Sequence, residues 1–169
     1  MVKKVLLFTV VILFSLMIFA PKRELYYLLE DRLLREDIII DNEDIESGLL
    51  SLKLKHPVLY VKGIKVAEIE EVRLFTLLAY STLKASNVKL DALLKRWAPE
   101  LIEMIKIEYQ LLSPDRVALT VEGPFGRAAG YLLIKKRFLH LDLIEEKELG
   151  ALKPLLEKGE KGWYYESSF

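Results

Sequence analysis

The chain has 169 residues, with 25 basic and 25 acidic side chains and therefore no net charge. A protein that grips nucleic acid needs a positive footprint to displace phosphate counterions, so this balance counts against that class. Cysteine is absent, which excludes disulfides, thiolate nucleophiles and thiolate metal sites, and the length fits one domain.

The N-terminus reads MVKKVLLFTVVILFSLMIFAPKREL. Lys3 and Lys4 precede an uncharged run, residues 5–20, that as a helix would be about 24 Å long, slightly under the ~30 Å hydrocarbon core of a bilayer. No A-x-A cleavage pattern is present and Pro21 directly follows Ala20, which favours an uncleaved anchor over a removed signal peptide. Lys22 and Arg23 can snorkel to the interface and lengthen that anchor. These features predict a transmembrane helix over 1–21, N-terminus inside, with the rest of the chain, 22–169, exported.

Pro21 suits the first turn of a following helix, PKRELYYLLEDRLLRE, whose Leu25, Leu28, Leu29 and Leu33 form a stripe. That stripe is expected to pack on the protein's own sheet, with Tyr26 and Tyr27 at the level of an interfacial aromatic belt. Ile38 to Ile40 is a short β-branched run, broken by DNED. Leu50, Leu52 and Leu54 alternate with Ser51, Lys53 and Lys55, as a half-buried strand requires. Lys62-Gly63 predicts a tight turn between Val58–Val61 and Ile64–Val66, and the alternation slips near Ala67-Glu68, which predicts a bulge.

Leu77 to Leu90 is ambiguous, but Leu83, Ala85, Val88 and Leu90 fit a strand with a slip at Asn87. Asp91 then resembles an N-cap for ALLKRWAPELIEMI, with Leu94, Trp97, Leu101, Ile102 and Ile105 on one side and a kink at Pro99. Ile105, Ile107, Tyr109 and Leu111, the SPDR turn, and Val117, Leu119 and Val121 predict a β-hairpin. GPFGRAAG reads as a loop, and YLLIKKRFLHLDL as a second hairpin turning at Lys135 to Arg137. EEKELGALKPLLEKG reads as a short helix interrupted by Gly150 and Pro154, and GWYYESSF as a last strand. The expected class is α+β: an N-terminal transmembrane helix, then an antiparallel sheet of hairpins packed with two or three helices.

Chemistry is sparse. His56 and His140 are the only imidazoles. His140 and Asp142 share one strand face, as two metal ligands would, but no third or fourth ligand accompanies them. Ser51 and Ser113 lack a nucleophile-elbow context, and EGPFGRAAG lacks the spacing of a phosphate cradle. Glu68, Glu70 and Glu71 read as a solvated strand face. The expectation is a non-enzymatic protein with no cofactor and no metal site. What remains is the sheet's apolar side, with Leu50, Leu52, Leu54, Ile69, Val72 and Leu74 as the candidate groove or partner face.

The strand rhythm GLLSLKLKHPVLYVKGIKVAEIEEVRLF followed by LKASNVKL resembles the N-terminal region of the type II secretion system protein N family and the broader AsmA-like group. Gly48, Leu50, Leu52, Leu54, Ile69, Val72, Leu74, Asn87, Val88 and Leu90 carry the resemblance, over roughly residues 1–90. It implies a periplasmic, single-pass inner-membrane accessory of envelope export or lipid handling. Two expectations follow. The first is protein–protein contact with secretion or other envelope proteins; the second is a lipid-binding or lipid-transfer module using the sheet's apolar face. No nucleic-acid partner is expected.

Overall fold

A computed structural model describes residues 22–169 apart from 42–43, 78, 95–97 and 160–161. Helix α1, Lys22–Arg35, opens the described chain, with basic Arg32 and Arg35 in its last turn where they complement the helix dipole. Twelve strands follow in a single sheet: β1 Ile38–Asp41, β2 Asp44–Ser47, β3 Ser51–Lys55, β4 Val58–Val61, β5 Ile64–Leu77 and β6 Tyr80–Leu90. After them come β7 Leu101–Gln110, β8 Arg116–Gly123, β9 Gly126–Leu133, β10 Phe138–Glu146, β11 Glu157–Gly159 and β12 Gly162–Ser168. The order is β1-β4-β5-β6-β7-β8-β9-β10-β12-β11, with β2 on β3 and β3 on β5, and the strand pairings are antiparallel.

The hairpins follow from turn chemistry. Lys62 and Gly63 both have positive φ, 52° and 73°, as a two-residue turn matched to strand twist requires. Ser113–Arg116 closes β7 onto β8 through Arg116 N–H donating to the Ser113 carbonyl, 3.1 Å. The bulge near Ala67 is present: Leu59 faces Ala67 but Tyr60 faces Lys65, leaving Val66 as the extra residue.

The α+β expectation is corrected. The described residues hold one α-helix, and the fold is an antiparallel sheet. The helix expected after Asp91 is a three-residue 3₁₀ turn, Ala92–Leu94, in which the Asp91 carboxylate accepts from Leu93 N–H at 3.0 Å. Pro99 cannot donate within a helix, and beyond it β-branched Ile102, Ile105 and Ile107 enter β7; Trp97 lies outside the described residues. EEKELGALKPLLEKG forms a 3₁₀ turn, Gly150–Leu155, and then β11. GPFGRAAG is mostly strand, with only Pro124-Phe125 between the paired Gly123 and Gly126.

The single-pass inner-membrane placement is corrected as well. Among the described residues no helix is long and apolar enough to cross a membrane; α1 has 14 residues, about 21 Å, and is rich in charge. The run that carried the expectation, 5–20, and the whole of 1–21, lie outside the described residues.

A crease crosses the sheet. His56 and Asn87 have φ of 54° and 50°, on either side of Glu70 in β5. His56 N–H donates to the Glu70 carbonyl at 2.9 Å, and the Asn87 amide donates to the Glu70 carboxylate. Across this line the inward residues are three apart instead of two: Ile69 and Val72, Ala85 and Val88, Ile102 and Ile105. A left-handed backbone costs an L-residue about 1–2 kcal/mol, and Asn less than most. Asn87→Gly is therefore expected to hold or raise stability, while Asn87→Val loses about 1–2 kcal/mol, both read from urea midpoints.

Candidate functional site

Register places two apolar rows side by side on one face. One runs Leu54, Val72, Ala85, Ile105, Val121, Ala128 and Leu143, one residue from each of seven neighbouring strands. The other runs Leu52, Leu74, Leu83, Ile107, Leu119, Gly130, Leu141 and Tyr165 across eight. At ~4.8 Å between strands the rows are roughly 30 Å long. The row between them is Lys53, Arg73, Lys84, Lys106, Thr120, Ala129, Asp142 and Tyr164, which belongs to the opposite face.

A sheet face this wide is normally covered by a second layer. Among the described residues the cover is thin. Helix α1 docks through Tyr26, buried with Leu52 and Leu54, whereas Leu28 and Leu29 of the expected stripe are 63% and 52% exposed. One helix is ~10 Å across and spans about two strands. The Gly150–Leu155 turn and the segment at Ala98 and Pro99 cover part of the other end. Among the described residues no large side chain is fully buried; the buried core is two small clusters, Tyr26, Leu52 and Leu54, and Ala67, Ala85 and Val88, with Phe125 and Leu149 buried outside them.

Among the described residues, two cavities lie between the face and these covers. The first, about 140 Å³, lies beneath α1 and is lined by residues including Tyr26, Ile40, Leu59 and Leu83. Leu52, Leu54, Ile69, Val72 and Leu74 of the candidate set line it too. Leu50 does not; it precedes β3, and its carbonyl accepts from Thr76 N–H at 2.9 Å. The second, about 220 Å³, is lined by residues including Ile102, Val121, Phe125, Ala128, Leu143 and Tyr165, with Leu152 and Leu155 above them. Sequence reasoning named none of these second-cavity residues as site residues, although Val121 and Leu143 sit in strands of the same alternation. Both cavities are lined by aliphatic and aromatic side chains only. Both open partly to solvent, and their walls are almost wholly apolar; an enclosed apolar void of about 150 Å³ is large enough to take up benzene.

The opposite face is ionic. Glu71 lies 2.7 Å from both Lys53 and Arg73, and these partners hold its carboxyl below the ordinary value. Glu68 pairs with Lys65 and is likewise lowered. Glu108 accepts from Lys106 and from the Tyr80 hydroxyl, which lower it despite some burial. His56 sits over an open polar hollow with Glu68, Glu70, Asn87 and Lys89. Ser51 faces Phe75 in the β3–β5 register, and Ser113 is a turn residue. Among the described residues no three His, Asp or Glu side chains are grouped as a metal would need. His140 is better supported than its sequence context suggested: Nε2 is 3.0 Å from Asp142 and Nδ1 2.8 Å from Glu166 on β12.

No protein-family model, no curated protein and no solved structure matches the chain. The resemblance to the secretion protein N and AsmA-like group thus rests on the sequence pattern alone, over roughly residues 1–90 and the hairpin GYLLIKKRFLHLDL.

Proposed function

We propose that this chain is a non-catalytic binding module that holds the acyl chain of a lipid against the apolar face of its sheet. The observation that carries this reading is the pair of uninterrupted apolar rows, longer than the helix and turns among the described residues can cover, with apolar cavities beneath α1 and beside the Gly150–Leu155 turn. An acyl chain suits such a face because it demands no polar partner and gains about 0.8 kcal/mol for each buried methylene. Addition of a partner's strand is less well supported. The terminal strands β1, β2 and β11 have four, four and three residues, and edges that short offer little backbone for pairing.

Titration with a fluorescent long-chain fatty acid tests the reading. Saturable binding is expected, and Ala128→Phe should fill the second cavity and weaken it by about 2 kcal/mol, roughly 30-fold. Lys106→Ala, on the ionic face, should leave affinity unchanged. Absence of saturable binding, or equal affinity in all three proteins, sinks the proposal.

A further inference from the structure

His140 lies in the middle of a ladder on the ionic face. Its ring lies between Tyr131 of β9, 5.4 Å away, and Tyr164 of β12, 6.0 Å away and stacked. Arg116 of β8 covers the far side of Tyr131 at 4.3 Å, and the Tyr164 hydroxyl donates to Glu157 of β11 at 2.7 Å. The two ring nitrogens face carboxylates from different strands, Asp142 of β10 itself and Glu166 of β12. A neutral imidazole carries one N–H and can donate to only one of them; the imidazolium donates to both. The ring is 18% exposed and its two carboxylate partners lie more in the open, so the neutral form leaves one carboxylate facing a nitrogen that cannot donate to it. The groups around the ring are the carboxylates Asp142, Glu166 and, beyond Tyr164, Glu157, with the cation Arg116 beyond Tyr131.

We propose that His140 is a proton-controlled clasp between β10 and β12, closed when the ring is protonated and released when it is neutral. Strand β12 joins the sheet only through β10 and carries β11. It also supplies Tyr165 to the wall of the second cavity, while the turn leading to β11 supplies Leu152 and Leu155. Release of this edge opens that cavity, so the clasp governs entry and exit of the acyl chain; this last step rests on the proposed lipid function. Burial disfavours the imidazolium, but the hydrogen bonds it donates to Glu166 and Asp142 outweigh it and raise the imidazole above its ordinary value. A raised folded-state value means that the stabilisation is complete below the unfolded-state titration and is lost as pH rises through the folded one.

The test is carried out first without ligand. With two histidines in the chain, NMR resolves both titrations, and His140 is identified by its loss in His140→Gln. Its midpoint is expected above that of the same ring in urea. As pH passes that midpoint, amide protection of Tyr164, Tyr165 and Glu166, corrected for intrinsic exchange, should fall on the order of tenfold, the loss of one charge-assisted hydrogen bond. The paired variant Asp142→Asn with Glu166→Gln should abolish the fall, and it keeps the histidine should His140→Gln fold poorly. A midpoint at or below the unfolded one, a fall shared equally by β5 to β8, or a fall that persists in the paired variant overturns the clasp. With the fluorescent fatty acid added, its dissociation should quicken through the same midpoint. Binding that is independent of pH overturns the gating. Binding at no pH overturns the lipid function itself, while strand release is still decided by the exchange data.

Discussion

Gly130→Ala is expected to cost about 3 kcal/mol or more, seen as a large drop in urea midpoint, although it adds a single methyl group. Gly130 lies in β9 between Leu119 and Leu141, and a Cβ there would stand 1.9 Å from the His140 carbonyl oxygen and 2.8 Å from the Leu141 Cα. Those atoms are backbone, so no rotamer change relieves the clash; β9 and β10 must separate. Separation would undo pairing along the one junction that connects β10, β12 and β11 to the rest of the sheet. Gly63→Ala is the control. Nothing stands within 4 Å of a Cβ at that position, where φ is 73°, so only the left-handed backbone is penalised, by about 1 kcal/mol. Equal losses in the two variants would show that β9 and β10 are not so closely apposed.

Local rules were enough for the hairpins. Lys62-Gly63, SPDR and the turn at Lys135 to Arg137 each join apolar-rich strand runs, and each closes a pair of strands at the expected place. The slip read at Asn87 is real too: the residue has φ of 50° and sits inside β6. What misled the reading lies on the same crease. There the inward positions of β7 are Ile102 and Ile105, three residues apart, and with Leu101 and Leu94 this spacing imitates the stripe of a helix. Periodicity alone does not separate a creased strand from a helix; the β-branched residues and Pro99 were the better guides. Strand β2, DIES, has one apolar residue in four and owes its existence to pairing with β3. The candidate face was legible in part for a similar reason. Leu52, Leu54, Val72 and Leu74 alternate within their own strands, whereas the second cavity depends on Phe125 in a turn and on Leu152 and Leu155 arriving from a distant one. The thinness of the cover among the described residues could not be read at all, because it depends on Ala92–Leu94 and Gly150–Leu155 being 3₁₀ turns.

Among the described residues little covers the apolar side of the sheet, which makes its buried points sensitive to charge. Val88→Asp is expected to be the most damaging exchange on that face. Val88 is 3% exposed, between Ile69 of β5 and Ile102 of β7, and packs with Ala67 and Ala85. A carboxylate there has apolar neighbours from three strands, and an uncompensated buried charge costs about 3–5 kcal/mol. Loss of the valine methyls adds a smaller amount, which Val88→Ala measures separately. The sign of the pH dependence then tests the cause. Burial raises the carboxyl's folded-state value above its unfolded one, so the difference between Val88→Asp and Val88→Ala should shrink as pH falls and the carboxyl becomes neutral. It should widen again as pH rises through the folded-state titration. A difference that is flat with pH would mean that the new side chain reaches water, and that the face around Val88 is more open than its 3% exposure implies.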